Sequence, residues 1–210
     1  MADAARTAEA RDPDVSRIIA FSDCVFSIAM TLLVVTLQIP ELRGNHIDHD
    51  LRHFLSEEWG QLLGYALSFY VIARFWLAHH RLFRFVRSAG TRLVTLNLVL
   101  LGFVAFLPYP TGIMGRYGQT TTAVVFYAAT MAATGFLSAA LWDDAVRTGA
   151  VAPDSPPAKE HDRLLVGLLP GVFLLSIPVA FWDPEVASMM WALLFLTRLV
   201  RRRQIGRVAA

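Results

Sequence analysis

Six apolar stretches recur along this chain at lengths that match a lipid bilayer, and no other feature narrows the fold so far. They lie near 17–39, 59–80, 92–110, 119–142, 163–182 and 184–200. A hydrocarbon layer about 30 Å thick takes roughly 20 residues of α-helix to cross. Backbone polar groups in lipid are satisfied either within a helix or around a closed barrel. Barrel strands alternate apolar and polar residues, whereas these runs are continuous, so helices are predicted. Charged residues make up only 17% of the sequence, against about 25% in an average soluble domain. The expected fold class is therefore an all-α membrane protein of six transmembrane helices.

Basic residues set the orientation of these spans. Arg6, Arg11 and Arg17 precede or open the first; Arg81, Arg84, Arg87 and Arg92 lie between the second and third. Arg147, Lys159 and Arg163 lie between the fourth and fifth, and Arg198, Arg201, Arg202, Arg203 and Arg207 close the chain. The alternate connections hold only Arg43, Arg52 and Arg116. By the positive-inside rule both termini are cytoplasmic in a multi-pass protein of the cell membrane. Residues 1–16 then form a cytoplasmic segment, 17–200 the transmembrane domain, and 201–210 a basic cytoplasmic tail. The first sixteen residues mix both charge signs and lack a signal-peptide pattern.

Local features refine this plan. Asp183, Pro184 and Glu185 supply an N-cap, a first-turn proline and an early acid for the sixth helix. Pro153 to Asp162 reads as a polar linker. Ala128, Ala132, Gly135 and Ala139 suit close helix packing in lipid. Asn97 is expected to hydrogen-bond between helices. The single cysteine, Cys24, allows neither a disulfide framework nor a Cys-based metal site.

The first span carries the sharpest chemical signal. Asp23 follows Arg17 by six residues, about 9 Å along a helix, and an acid inside a membrane marks a functional region. At 100° per residue Asp23 and Ser27 share one face, which should turn toward the bundle. Cys24, Ile28, Thr31, Leu32 and Val35 fall opposite, where an apolar face meets lipid or lines a pore. Arg17 lies on the wrong side to pair with Asp23. Arg74, at matching depth in the second span, is one candidate partner; Ser22, Trp76 or His79 are the others.

Arg17-x-x-x-Phe21-Ser22-Asp23 resembles the signature of the lysosomal/endosomal potassium channel family, transmembrane protein 175, and its prokaryotic relatives. Phe75-Trp76, His79-His80 and the run Leu107-Pro108-Tyr109-Pro110-Thr111 extend the resemblance. It implies six helices per repeat and, for one repeat, a homotetramer whose first helices line a central pore for K+, with protons as a further permeant ion. Ile28 occupies the position of the family's hydrophobic constriction and Thr31 a neighbouring polar one. Leu32 and Val35 extend that face by helical spacing. Arg17, Phe21, Ser22, Asp23, Arg74, Trp76 and His79 then form the signature and its supporting polar network.

Other functions fit less well. A secondary transporter moving a cation or small solute is the alternative, but the prolines that interrupt the fifth span, Pro170 and Pro178, have no counterpart in the second. No nucleophile, paired acids or metalloenzyme motif points to an enzyme. His46, His49 and His53 have a spacing that could hold Zn²⁺ on one helical face or lie in a solvated loop. No cofactor is expected beyond permeant K+. Expected partners are other copies of the chain and membrane lipids, with no nucleic acid.

Overall fold

The computed structural model describes residues 12–37, 47–57, 59–151 and 163–192. The first helix, α1 (Pro13–Leu32), starts where Asp12 accepts a hydrogen bond from the Asp14 amide, and it tightens into a 3-10 turn over Leu33–Thr36. Short α2 (Ile47–Glu57) precedes the long α3 (Trp59–Phe83). Then come α4 (Thr91–Phe106), α5 (Pro108–Tyr117), α6 (Thr121–Arg147), α7 (Arg163–Ala180) and α8 (Pro184–Met189), the last ending in a 3-10 turn. Among the described residues the only β feature is one bridge, between Val86 and Val151.

Four stretches are long and apolar enough to cross a membrane: Pro13–Thr36, Trp59–Phe83, Thr91–Tyr117 and Thr121–Arg147. A shorter apolar helix covers Leu169–Ala180. The first span begins four residues before the expected position 17, because Asp12 and Pro13 form a complete helix start. The third runs to Tyr117 instead of stopping at 110. Pro108 opens α5 directly after α4, where a first-turn proline forfeits no hydrogen bond, so the prolines do not end the span. Asp183 caps α8 as expected, accepting from the amides of Glu185 (2.8 Å) and Val186 (3.2 Å). The later part of the expected sixth span, from 193, lies outside the described residues, as does the 153–162 linker.

On α3 and α4 burial is confined to one stripe. On α3 it is Ser68, Val71, Ile72, Phe75, His79, Leu82 and Phe83; on α4 it is Leu93, Asn97, Leu100, Leu101 and Val104. Both follow the 3.6-residue period. Helix α1 packs on α3 and α4, while α6 packs on α4 and α5 and most extensively on α7. At the α6–α7 crossing a Cβ on Gly135 would lie 2.8 Å from the Pro170 ring, so only glycine permits that approach. Backbone hydrogen bonds join three segments at the arginine-rich end: Asp12 donates to the Arg87 carbonyl and Arg87 donates to the Ala150 carbonyl. Gly149 makes the turn there with φ +71°. Arg92 and the buried Asp144 pair at 2.8 Å beside it.

Candidate functional site

The two faces of α1 are sharply different. Val15, Ser22, Phe26, Ala29 and Leu33 recur at helical spacing and are buried against α3 and α4. Asp23 sits about a quarter-turn from the centre of that stripe and is half-buried. Ser27 is a further 40° out and is exposed, so the expectation that Asp23 and Ser27 turn inward together is corrected for Ser27. The inward arc is set by Ser22 and Phe26, one residue earlier in the helical phase.

Three helices meet at Ser22. Its hydroxyl donates to the Ile18 carbonyl at 2.8 Å and accepts from Asn97 Nδ2 of α4 at 3.1 Å. Asn97 Oδ1 lies 2.8 Å from His79 Nε2 of α3. With the proton on that nitrogen, hydrogen bonds run in one direction from His79 through Asn97 and Ser22 to the α1 backbone, and such chains polarise one another. The His79 ring stacks on Phe83, with centroids 4.3 Å apart, and tilts against Phe26 at 5.5 Å. Packing against the two rings fixes its orientation, and the Asn97 carbonyl selects the tautomer with the proton on Nε2.

Asp23 receives a separate bond. Trp76 Nε1 donates to its Oδ1 at 2.8 Å. Arg74 is two residues earlier on α3, about 160° around the helix, and lines a cavity facing α6 and α7. The structure thus assigns Trp76, and not Arg74, to Asp23. His79 and Ser22 hold the adjacent chain. Arg17 lies at the exposed helix start, 3.8 Å from Asp14, and Phe21 is exposed.

The opposite face of α1 is largely uncovered by the described residues of the subunit. Ile28 (57% exposed), Leu32 (44%), Val35 (74%) and Thr31 lie along it, together with Cys24. The Thr31 hydroxyl donates to the Ile28 carbonyl at 2.9 Å, which leaves its methyl group and an oxygen lone pair on this surface. The face is a ladder of branched apolar side chains with one hydroxyl among them.

A second polar cluster escaped the sequence reading. Ser68 of α3 lies 2.9 Å from the Tyr127 hydroxyl of α6 and 3.1 Å from Thr111 Oγ1 of α5. All three are buried. The available signal was a hydroxyl inside two apolar runs, Ser68 and Tyr127, and one just past the end of a third, Thr111. His49 and His53 are exposed on α2, His46 is outside the described residues, and no group of three potential metal ligands occurs among the described residues.

Comparison with known proteins finds relatives over most of the chain. The model of the family described as "Endosomal/lysosomal potassium channel TMEM175" matches residues 17–108. A protein of Streptomyces collinus named as a potassium channel is 35% identical over 86% of this chain and 89% of its own length. One of Chamaesiphon minutus, also named as a potassium channel, is 30% identical over 80% and 85%. The crystal structure of a lysosomal potassium-selective channel TMEM175 homolog from Chamaesiphon minutus superposes with a TM-score of 0.72 at 27% identity, covering 90% of this chain and 98% of that one.

Proposed function

The chain belongs to the endosomal/lysosomal potassium channel TMEM175 family, and from that premise we propose that it conducts K+ through a pore lined by the exposed face of α1. It is a membrane protein and a potassium channel. The pore is completed by four copies of the chain arranged around that face, with six spans per subunit over 17–200 and both termini, including the 201–210 tail, in the cytoplasm. Ile28 forms the narrowest apolar ring, with Thr31, Leu32 and Val35 above it. Protons are a second permeant ion.

The observation that supports this reading most is the exposure of Ile28, Thr31, Leu32 and Val35 while the other side of the same helix is pinned by Ser22 and Asp23. A pore helix must hold its lining side chains in register, and a helix anchored by interhelical hydrogen bonds on one face presents the other in a fixed orientation. An apolar ring imposes a dehydration cost on a passing ion, so the size and polarity of residue 28 govern which ions cross. The Streptomyces collinus and Chamaesiphon minutus relatives are named as potassium channels, and the superposed crystal structure is that of a potassium-selective channel homolog, which supports K+ as the permeant ion.

The test is the reversal potential of the purified protein in planar bilayers under opposed K+ and Na+ gradients, for the wild type and Ile28→Asn. Wild-type reversal near the K+ potential, displaced toward zero in the variant, is expected. Passive current with the same reversal in both would remove Ile28 from the constriction. Flux that appears only when coupled to a second gradient would replace the channel with a transporter. Native mass measurement at about four times the 23.3 kDa subunit checks the assembly, and an imposed pH gradient checks proton passage.

A further inference from the structure

The buried hydroxyl cluster of Ser68, Thr111 and Tyr127 lies one residue along α5 from a contact with the end of α1. Thr111 donates twice to the Leu107 carbonyl, from its amide at 3.2 Å and its hydroxyl at 2.9 Å. Pro108 and Pro110 have no amides with which to tie the first turn of α5 back to α4. Thr111 therefore supplies a polar tie for this turn, and Ser68 and Tyr127 extend it to α3 and α6. In lipid, hydroxyl bonds of this kind hold helices to one another. The next residue, Gly112, faces the 3-10 turn that ends α1. A Cβ there would lie 3.4 Å from Thr36 Cβ and 3.5 Å from Thr36 Cγ2; of the described residues outside α5 it would meet Thr36 alone within 4 Å. Side chains three apart eclipse in a 3-10 turn, so Thr36 stands on the buried side with Leu33, whereas Val35 points outward. An open groove lined by Thr36, Tyr109, Gly112 and Arg116 borders the contact, which leaves the tip of α1 space to move.

We propose that Ser68, Thr111 and Tyr127 are positioning residues which, through the Gly112–Thr36 contact, set how far the tip of α1 stands from its own subunit and so the width of the ion path at Val35. The cluster fixes α5 against α3 and α6, and α5 in turn backs the side of α1 opposite Val35. Glycine at 112 gives the closest seat that α5 can offer: any larger side chain pushes Thr36 away and carries Val35 outward with it. Losing a hydroxyl from the cluster acts differently, because it frees α5 and leaves the tip of α1 without a fixed backing. Width at Val35 rests on the reading of that face as the pore lining; the seating of the α1 tip on α5 does not.

Spin labels on Val35→Cys and on Thr122→Cys, at the exposed start of α6, read the position of the tip in the full chain. The background is Cys24→Ser, with labelled subunits diluted by unlabelled ones. Gly112→Leu is expected to lengthen the distance, and Gly112→Ala to lengthen it less, which covers the case in which leucine prevents folding. Thr111→Val keeps the shape but removes the hydroxyl; it and Tyr127→Phe should broaden the distance distribution without a matching lengthening. Thr111→Ser, which keeps the hydroxyl, should restore the wild-type distribution, a rescue that loss of packing alone would not give. K+ conductance of single channels should fall about twofold in Gly112→Leu, as an apolar level narrows, and vary from channel to channel in Thr111→Val. Unchanged distances in both Gly112 variants overturn the proposal, and so does an unbroadened distribution in Thr111→Val. Shifted distances with wild-type conductance overturn it too, since the tip then moves without touching the ion path. Absence of K+ current from the wild type rejects the channel reading instead, and shifted distances in that case still support the seating of α1 on α5.

Discussion

Helix α1 contains the most apolar of the four long spans and is the least buried, with 22% of its apolar window inside the subunit, whereas α6 is less apolar and 50% buried. The inversion separates two uses of apolar surface. On α6, small and hydroxyl residues such as Ala128, Ala132, Thr134 and Gly135 let neighbours approach closely, and half of the apolar stretch is covered by its own subunit. On α1, large branched residues stand outward and only a narrow stripe is fixed. The packing of α6 serves the fold; the outward face of α1 is left for contacts outside the subunit.

Truncating a buried residue of α1 should have the largest effect on folding. Phe26→Ala removes a ring that is 0% exposed and packs against His79; a loss of about 3–5 kcal/mol is expected, read as a lowered unfolding midpoint in detergent. Gly135→Ala should follow on α6, since the new Cβ meets Pro170 at 2.8 Å. Overpacking of that kind costs about 1–3 kcal/mol. An unchanged midpoint would mean that α6 and α7 slide apart freely and that the enclosure of α6 is loose. Asn97→Ala cuts the link from His79 to Ser22; about 1–2 kcal/mol is expected for such a link in a membrane. Its sharper readout is ion selectivity, because α1 would lose one of its two anchors. The smallest stability effect belongs to Val35→Thr on the outward face, within about 0.5 kcal/mol for a subunit on its own. A large loss of subunit stability there would erase the contrast between the two helices.

Much of this is readable from the sequence because the bilayer imposes a length and the helix a period. The four long spans, the Asp183 cap, the small-residue run on α6 and the opposition of Ile28, Thr31 and Val35 to the buried side of α1 all follow from those two rules. Asn97 also proves to be an interhelical hydrogen-bonding residue. Where sequence and structure part, a local rule meets a tertiary choice. Pro108 and Pro110 suggest an end to the third span, but a proline in the first turn of a new helix costs no hydrogen bond, and α5 continues to Tyr117. Depth along the helices leaves the partner of Asp23 open between Arg74 and its neighbours, and rotation decides it. Arg74 and Trp76 lie on opposite sides of α3, and only Trp76 faces α1. The expected loop near His46–His53 folds as α2 over Ile47–Glu57, where Asp48 and Asp50 in the first turn suit the helix dipole and Arg52 pairs with Asp48 one turn on.

The backbone tie among Asp12, Arg87 and Ala150 has a mechanical consequence. It fastens the start of α1 to the turn between α3 and α4 and to the end of α6, so that end of α1 acts as a clamped support. The opposite end finishes in a 3-10 turn that packs against α5. A tilt of α1 is then a swing about its clamped end, with the smallest displacement at Asp12 and the largest at Thr36. Ile28 lies part-way along that lever and Val35 near its tip, so one small angular change would displace the two side chains by unequal amounts.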